Sequence, residues 1–280
     1  MVSCMNDKRP PPDQLTTRRL LLIYMGWVVA VTVFWLTPLS YPLRLLATLV
    51  HELGHLSAVV LSGGEIFGMR VQASGAGHVL SLGGARWLVS PAGYVGLLFA
   101  SSFLFWCSTS AGSARFGLGL LLVVLLVYTV VAAGTLGVLL TLTLTTVVTV
   151  VLLWTGSALL QTAAARFVAI CLAIEGILDY WRILFTYGEH RSRSVWAPVK
   201  EMPGRDDFYT DATLMAASYG GSEGLWAVIW LVLSVGALAV GIAWSVYEEL
   251  RLQQETALAA DRLRQKLNFR KGEGKEHRVR

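Results

Sequence analysis

One short run, Val50-His51-Glu52-Leu53-Gly54-His55, sets two imidazoles and a carboxylate at helical spacing. In a helix, residues four apart share a face, so the His51 and His55 imidazoles can reach the same Zn²⁺ ion. Glu52 then stands beside the ion as a base for water, the arrangement of a metallopeptidase. Residue frequencies alone would place such a signature in about one chain in a hundred of this size. Its setting sharpens the expectation. The run lies inside an apolar stretch from Leu43 to Leu61, and charged or metal-binding side chains at membrane depth are costly enough to be functional by default.

The rest of the chain reads as a membrane protein. The 280 residues are 55% hydrophobic and 15% charged, and the mean hydropathy is +0.58, far from a soluble domain. We expect an all-α polytopic protein of about six to seven transmembrane helices, with a small β-hairpin inserted after the signature helix. Cys4, Cys107 and Cys171 offer neither a disulfide framework nor a cysteine zinc site, so a metal must be held by His and carboxylate. The net charge of +5 comes mainly from the two ends, which points to topology or anionic lipid rather than nucleic acid, and no interleaving of basic and aromatic residues supports the latter.

Residues 1–19 are polar and Pro-rich and read as a flexible tail; no cleavable signal is evident, and Leu20 to Leu36 reads as a retained first span. The membrane domain is expected over 20–246. Within it, Pro38 and Pro42 mark a turn, and the signature helix begins near Leu43. After Ser62-Gly63-Gly64, residues 65–82 carry two β-prone pieces split by Ser74-Gly75-Ala76-Gly77, a hairpin expected at the mouth of the site, whose edge can pair with a substrate strand. A span from Trp87 to Trp106 starts with Ser90-Pro91-Ala92-Gly93-Tyr94-Val95-Gly96; its small residues allow close approach, and Pro91 frees a carbonyl. Pro91, Gly93 and, on the hairpin, His78 are assigned to substrate contact.

Phe116 to Trp154 is long enough for two spans with a turn near Ala133-Gly134-Thr135, and reads as scaffold. The next helix, Ala158 to Phe185, carries Glu175, Asp179 and Arg182; Glu175 and Asp179 share a face, making this the first place to look for a third metal ligand. A plain Asp179–Arg182 pair is the alternative there. His190 and His277 lie in extramembrane segments and compete poorly. Residues 188–224 form a polar loop with a short helix from Thr210 to Tyr219, which Thr210 or Asp211 could cap. Leu225 to Val246 is the last span, and 247–280 is a charged helix and tail. With seven spans the two basic tails fall on opposite sides, so the positive-inside rule gives no single orientation, and the sequence does not say which membrane holds the protein.

These residues carry a resemblance. His-Glu-Leu-Gly-His in a membrane helix, a Gly-Gly turn, a short β segment and Pro91-Ala92-Gly93-Tyr94-Val95-Gly96 resemble the site-2 protease superfamily of intramembrane zinc metalloproteases. The chain is most similar to the small peptidase-like branch without a PDZ domain, found in bacteria, plants and fungi. The likeness resumes at Ile177-Leu178-Asp179-Tyr180-Trp181, and at Thr210-Asp211-Ala212 with Gly220-Gly221 and Trp226 to Trp230. It implies zinc held by His51, His55 and a later membrane carboxylate, with Asp179 at the matching position and Asp211 as the alternative ligand or a supporting group. The usual Leu-Asp-Gly is here Leu178-Asp179-Tyr180, followed by Arg182 and Ile183 where acidic residues are expected. Between the two, Asp179 is preferred because it lies in an apolar helix, whereas Asp211 lies in a polar loop. The function expected is hydrolysis of a transmembrane or membrane-associated polypeptide, with Glu52 as general base. The alternatives are an inactive binding or quality-control protein of the same fold, and an ion-coupled transporter.

Overall fold

The computed structural model describes residues 14–131, 136–186, 194–199 and 209–276. Among these residues eight α-helices and one hairpin follow in the order α1 (Gln14–Trp35), α2 (Tyr41–Leu61), β1 (Glu65–Val71), β2 (Gly77–Leu82), α3 (Arg86–Cys107), α4 (Ala111–Val131), α5 (Leu136–Thr155), α6 (Ala158–Trp181), α7 (Asp211–Tyr219) and α8 (Glu223–Glu276). Among the described residues five helical stretches, built on α2, α3, α5, α6 and α8, are long and apolar enough to cross a membrane, and shorter apolar stretches lie in α1 and α4. The chain is therefore a multi-pass integral membrane protein. The turn expected near Ala133-Gly134-Thr135, His190, His277, the first part of the N-terminal tail and much of the 188–224 loop lie outside the described residues.

A 3₁₀ turn at Pro38–Ser40 makes the corner between α1 and α2, with proline in the first turn of α2, where no helix donor is lost. Arg44 closes it: its Nη2 donates to the Trp35 carbonyl at 2.6 Å, and its guanidinium lies 5.3 Å from the centre of the Trp35 ring. At the far end of α2, Gly63 takes φ +78°, a conformation that favours glycine, and the chain reverses into the hairpin. β1 and β2 pair antiparallel from Glu65↔Leu82 to Val71↔Gly77, with a bulge between Ile66 and Gly68. Met69 and Val71 are buried. The tip is bound to the signature helix by Tyr41 Oη donating to the Ala73 carbonyl at 2.9 Å and Thr48 Oγ1 donating to the Gly75 carbonyl at 2.8 Å. The hairpin is thus laid back along α2, while Ile66, Phe67, Leu80 and Leu82 stay exposed.

At the centre, α3 packs against α2, α6 and α8. Lipid offers no hydrophobic force between helices, so small residues and interhelical hydrogen bonds hold them together. A Cβ on Gly54 of α2 would overlap the Ala92 carbonyl of α3, so glycine sets that close approach. Ser101 donates to the Ala169 carbonyl of α6 at 2.8 Å, and Ser102 to the Ala237 carbonyl of α8 at 3.2 Å. At the end of α6 nearer its N-terminus, Arg166 Nη2 lies 3.3 Å from Glu249 of α8, which also accepts from Tyr24 of α1 at 3.0 Å. That cluster is about 20 Å along α6 from Asp179.

The Thr-rich α5 is helical despite its β-branched residues. Thr143, Thr145, Thr146 and Thr149 each donate to the carbonyl four residues back, satisfying their hydroxyls within the helix. Leu140, Leu144 and Val147 face outward, as scaffold against lipid should. The last span and the charged segment after it form one continuous helix of 54 residues, about 80 Å long and more than twice the thickness of a bilayer core.

Candidate metal centre

His51 lies near the middle of α2, about 15 Å of helix from either end, so the site is set well inside the span. His55 Nδ1 lies 2.7 Å from the Val89 carbonyl of α3, a contact that turns Nε2 of the same ring inward. There it meets His51 Nε2 at 3.1 Å. The His51 ring is held by Tyr94, edge to face with centroids 4.5 Å apart, and Tyr94 in turn stacks on Trp230 of α8 at 5.6 Å. Beneath both imidazoles is Gly93. A Cβ there would overlap Nε2 of His51 and Nε2 of His55 at once, so the absent side chain leaves a cradle at the point where the two rings converge.

The third donor in this cradle is Asp211. One ligand atom from each of His51, His55 and Asp211 lies within 4.8 Å of the others, and Asp211 Oδ2 is 3.5 Å from His55 Nε2. Asp211 is the first residue of α7, where a capping role is the ordinary expectation, but Thr210 performs that role. Thr210 and Thr213 form a capping box that satisfies the first amides of α7, and Thr210 Oγ1 also donates to Glu223 at the start of α8 at 2.5 Å. The Asp211 carboxylate is therefore free to turn toward the histidines. Burial raises its pKa, but the His55 ring beside it and the hydrogen bond between them outweigh this and hold the carboxyl below its ordinary value.

Asp179 lies elsewhere. Its Oδ1 accepts from Arg182 Nη1 at 2.5 Å, the same nitrogen that donates to Glu175 at 2.6 Å. Its Oδ2 lies 3.9 Å from His51 Nδ1, the ring nitrogen turned away from the cradle. The preferred third position thus stands behind His51, whereas the alternative, Asp211, shares the cradle. A tetrahedral ion with bonds of about 2 Å needs donors roughly 3.3 Å apart. The His51–His55 and His55–Asp211 separations of 3.1 and 3.5 Å match that need, and with all three ligand atoms within 4.8 Å of one another two imidazoles and one carboxylate are a donor set of the kind zinc takes.

Glu52, next on the helix, is buried, and a Cβ on Gly77 at the start of β2 would overlap its carboxylate. The second strand of the hairpin therefore begins against the candidate base. His78, one residue on, is exposed and paired with Gln72 at 3.2 Å, and Pro91 lies within α3 just ahead of the Gly93 cradle. Thr210 is legible in the sequence as a helix cap, but spacing alone does not reveal the supporting set of Val89, Tyr94 and Gly77. The only signals for it are the glycine-rich turn after the signature and the Tyr that follows Gly93.

A family model described as Peptidase M50B-like matches residues 24–241. Neither a curated protein nor a solved structure is similar enough to the chain to be matched.

Proposed function

The chain belongs to the Peptidase M50B-like family, the site-2 protease family, and from that premise we propose a zinc-dependent intramembrane peptidase with Glu52 as its general base. His51, His55 and Asp211 are the proposed zinc ligands. The observation that carries this assignment is the convergence of their donor atoms over Gly93. When bound, zinc supplies Lewis acidity: it makes water acidic enough to lose a proton near neutral pH, and it stabilises the charge of an oxyanion.

The remaining work falls to the chain. Glu52 takes the proton from the attacking water and hands it to the leaving amine, a role that contributes typically 10²–10⁴-fold. Gly77 lets the start of β2 lie directly against that carboxylate, because a Cβ there would overlap it. A peptide bond inside a helix is closed to attack because its carbonyl is already hydrogen-bonded, so a membrane-spanning substrate must be extended before it is cut. β2 offers an edge that starts at Glu52 and can pair with such an extended segment. His78, Pro91 and Gly93 line the proposed approach. The depth of His51 along α2 is the reason to place the substrate in the bilayer too.

The test is cleavage of a single-span reporter polypeptide co-reconstituted in lipid vesicles with the purified chain. The wild type should cut it, and Glu52→Gln should hold zinc equally but not cut. Cleavage undiminished in Glu52→Gln overturns the proposal. Bound zinc with no cleavage of any reporter by the wild type favours a binding protein of the same fold, and zinc-independent ion flux favours a transporter.

A further inference from the structure

The two candidate zinc histidines are not held alike. His55 gives its Nδ1 to a backbone carbonyl, Val89, at 2.7 Å. His51 Nδ1 is buried and has no hydrogen-bond partner among the described residues. A buried ring nitrogen without a partner is costly, and metal-bound histidines nearly always donate that second N–H, usually to a carboxylate or a carbonyl. The group facing it is Asp179, with Oδ2 at 3.9 Å.

Asp179 is itself built into place. Arg182 Nη1 binds its Oδ1 and also Glu175 Oε1, and all three residues project from the C-terminal end of α6 and the π-helical turn Arg182–Thr186 that follows. Among the described residues the other Asp179 oxygen, Oδ2, accepts no hydrogen bond, and it is the one turned toward His51. Reaching hydrogen-bond length of about 3 Å takes roughly 1 Å of side-chain movement.

We infer that Asp179 is a positioning residue, which fixes the His51 ring by accepting its Nδ1–H and is aimed by the Arg182–Glu175 pair behind it. This rests on the proposal that His51, His55 and Asp211 are the zinc ligands. A carboxylate behind a ligating imidazole fixes its tautomer and raises its basicity toward the metal. The departure from Leu-Asp-Gly then has a physical content, because Arg182, three residues after Asp179, takes one carboxylate oxygen and leaves the other for His51.

The test measures zinc dissociation constants by chelator competition on the purified full-length chain, together with the visible spectrum of the Co²⁺-loaded protein. Asp179→Ala should still bind one zinc but about 10–100-fold more weakly, with the Co²⁺ spectrum keeping its four-coordinate character. Asp179→Asn keeps the side-chain volume and carries the same readout should the alanine variant fail to fold, with weakening of about threefold or more. A merely structural Asp179–Arg182 pair would lower the melting temperature of the metal-free protein and leave zinc affinity within about twofold, which overturns the inference. If Asp179→Ala abolishes stoichiometric zinc while Asp211→Ala keeps it, Asp179 is a ligand, and the zinc assignment fails together with the inference. If Asp211→Ala alone abolishes it and Asp179→Ala binds like the wild type, only the inference fails.

Discussion

Asp211 Oδ2 lies 3.5 Å from His55 Nε2, although Asp211 opens a short helix after the longest polar stretch and His55 sits in the second membrane helix. What joins them is the capping box of α7: Thr210 satisfies the helix amides and is anchored to Glu223, so the neighbouring carboxylate is spared that task.

Thr210→Ala should therefore act on two readouts. Loss of the cap costs about 0.5–2 kcal/mol of stability, seen as a lower melting temperature. Zinc affinity should fall with it, because Asp211 loses its fixed start. Thr210→Ser, which restores the hydroxyl, should recover both; affinity unchanged in Thr210→Ala would separate the cap from the site.

Gly93→Ala should be far more damaging than its single methyl suggests. The added Cβ falls on the Nε2 atoms of both histidines, so zinc binding should drop steeply, and overpacking should cost about 1–3 kcal/mol. Gly26→Ala is the control, since nothing lies within 4 Å of its Cβ and Ala is favoured over Gly in a helix by about 0.5–1 kcal/mol. Metal analysis and thermal melting of both variants check this pair.

How much of this is legible in the sequence depends on how local the signal is. His51, Glu52 and His55 are readable together because they lie within one helical turn and a half, and the hairpin is readable because Gly63-Gly64 and Ser74-Gly75-Ala76-Gly77 bracket two alternating β-prone pieces. The apolar helices are readable by length alone. The partners of the two histidines are not. An Asp in an apolar helix looks like the better ligand candidate, yet Arg182 three residues on already neutralises Asp179, and an Asp in a polar loop looks like surface until α7 docks against α3. The carbonyl of Val89 and the ring of Tyr94 are brought to the histidines only by the close approach of α2 and α3 at Gly54 and Ala92.

Glu249→Gln probes the other end of the bundle. It removes the charge facing Arg166, whose side chain is 12% exposed, and leaves a largely buried guanidinium poorly paired, at a cost of roughly 1–3 kcal/mol. Melting temperature should fall while zinc affinity stays at the wild-type value, because the cluster lies about 20 Å along α6 from Asp179. A change in zinc affinity would show that the two ends of α6 are coupled.

Two histidines of α2 and one aspartate of α7 are proposed to hold a single zinc inside the membrane domain. Elemental analysis of the purified full-length chain against His51→Ala, Asp211→Ala and Asp179→Ala tests it most directly. One zinc per chain is expected in the wild type and, at saturating metal, in Asp179→Ala, with little or none in His51→Ala and Asp211→Ala. A full zinc equivalent retained by Asp211→Ala with its affinity intact would contradict the account.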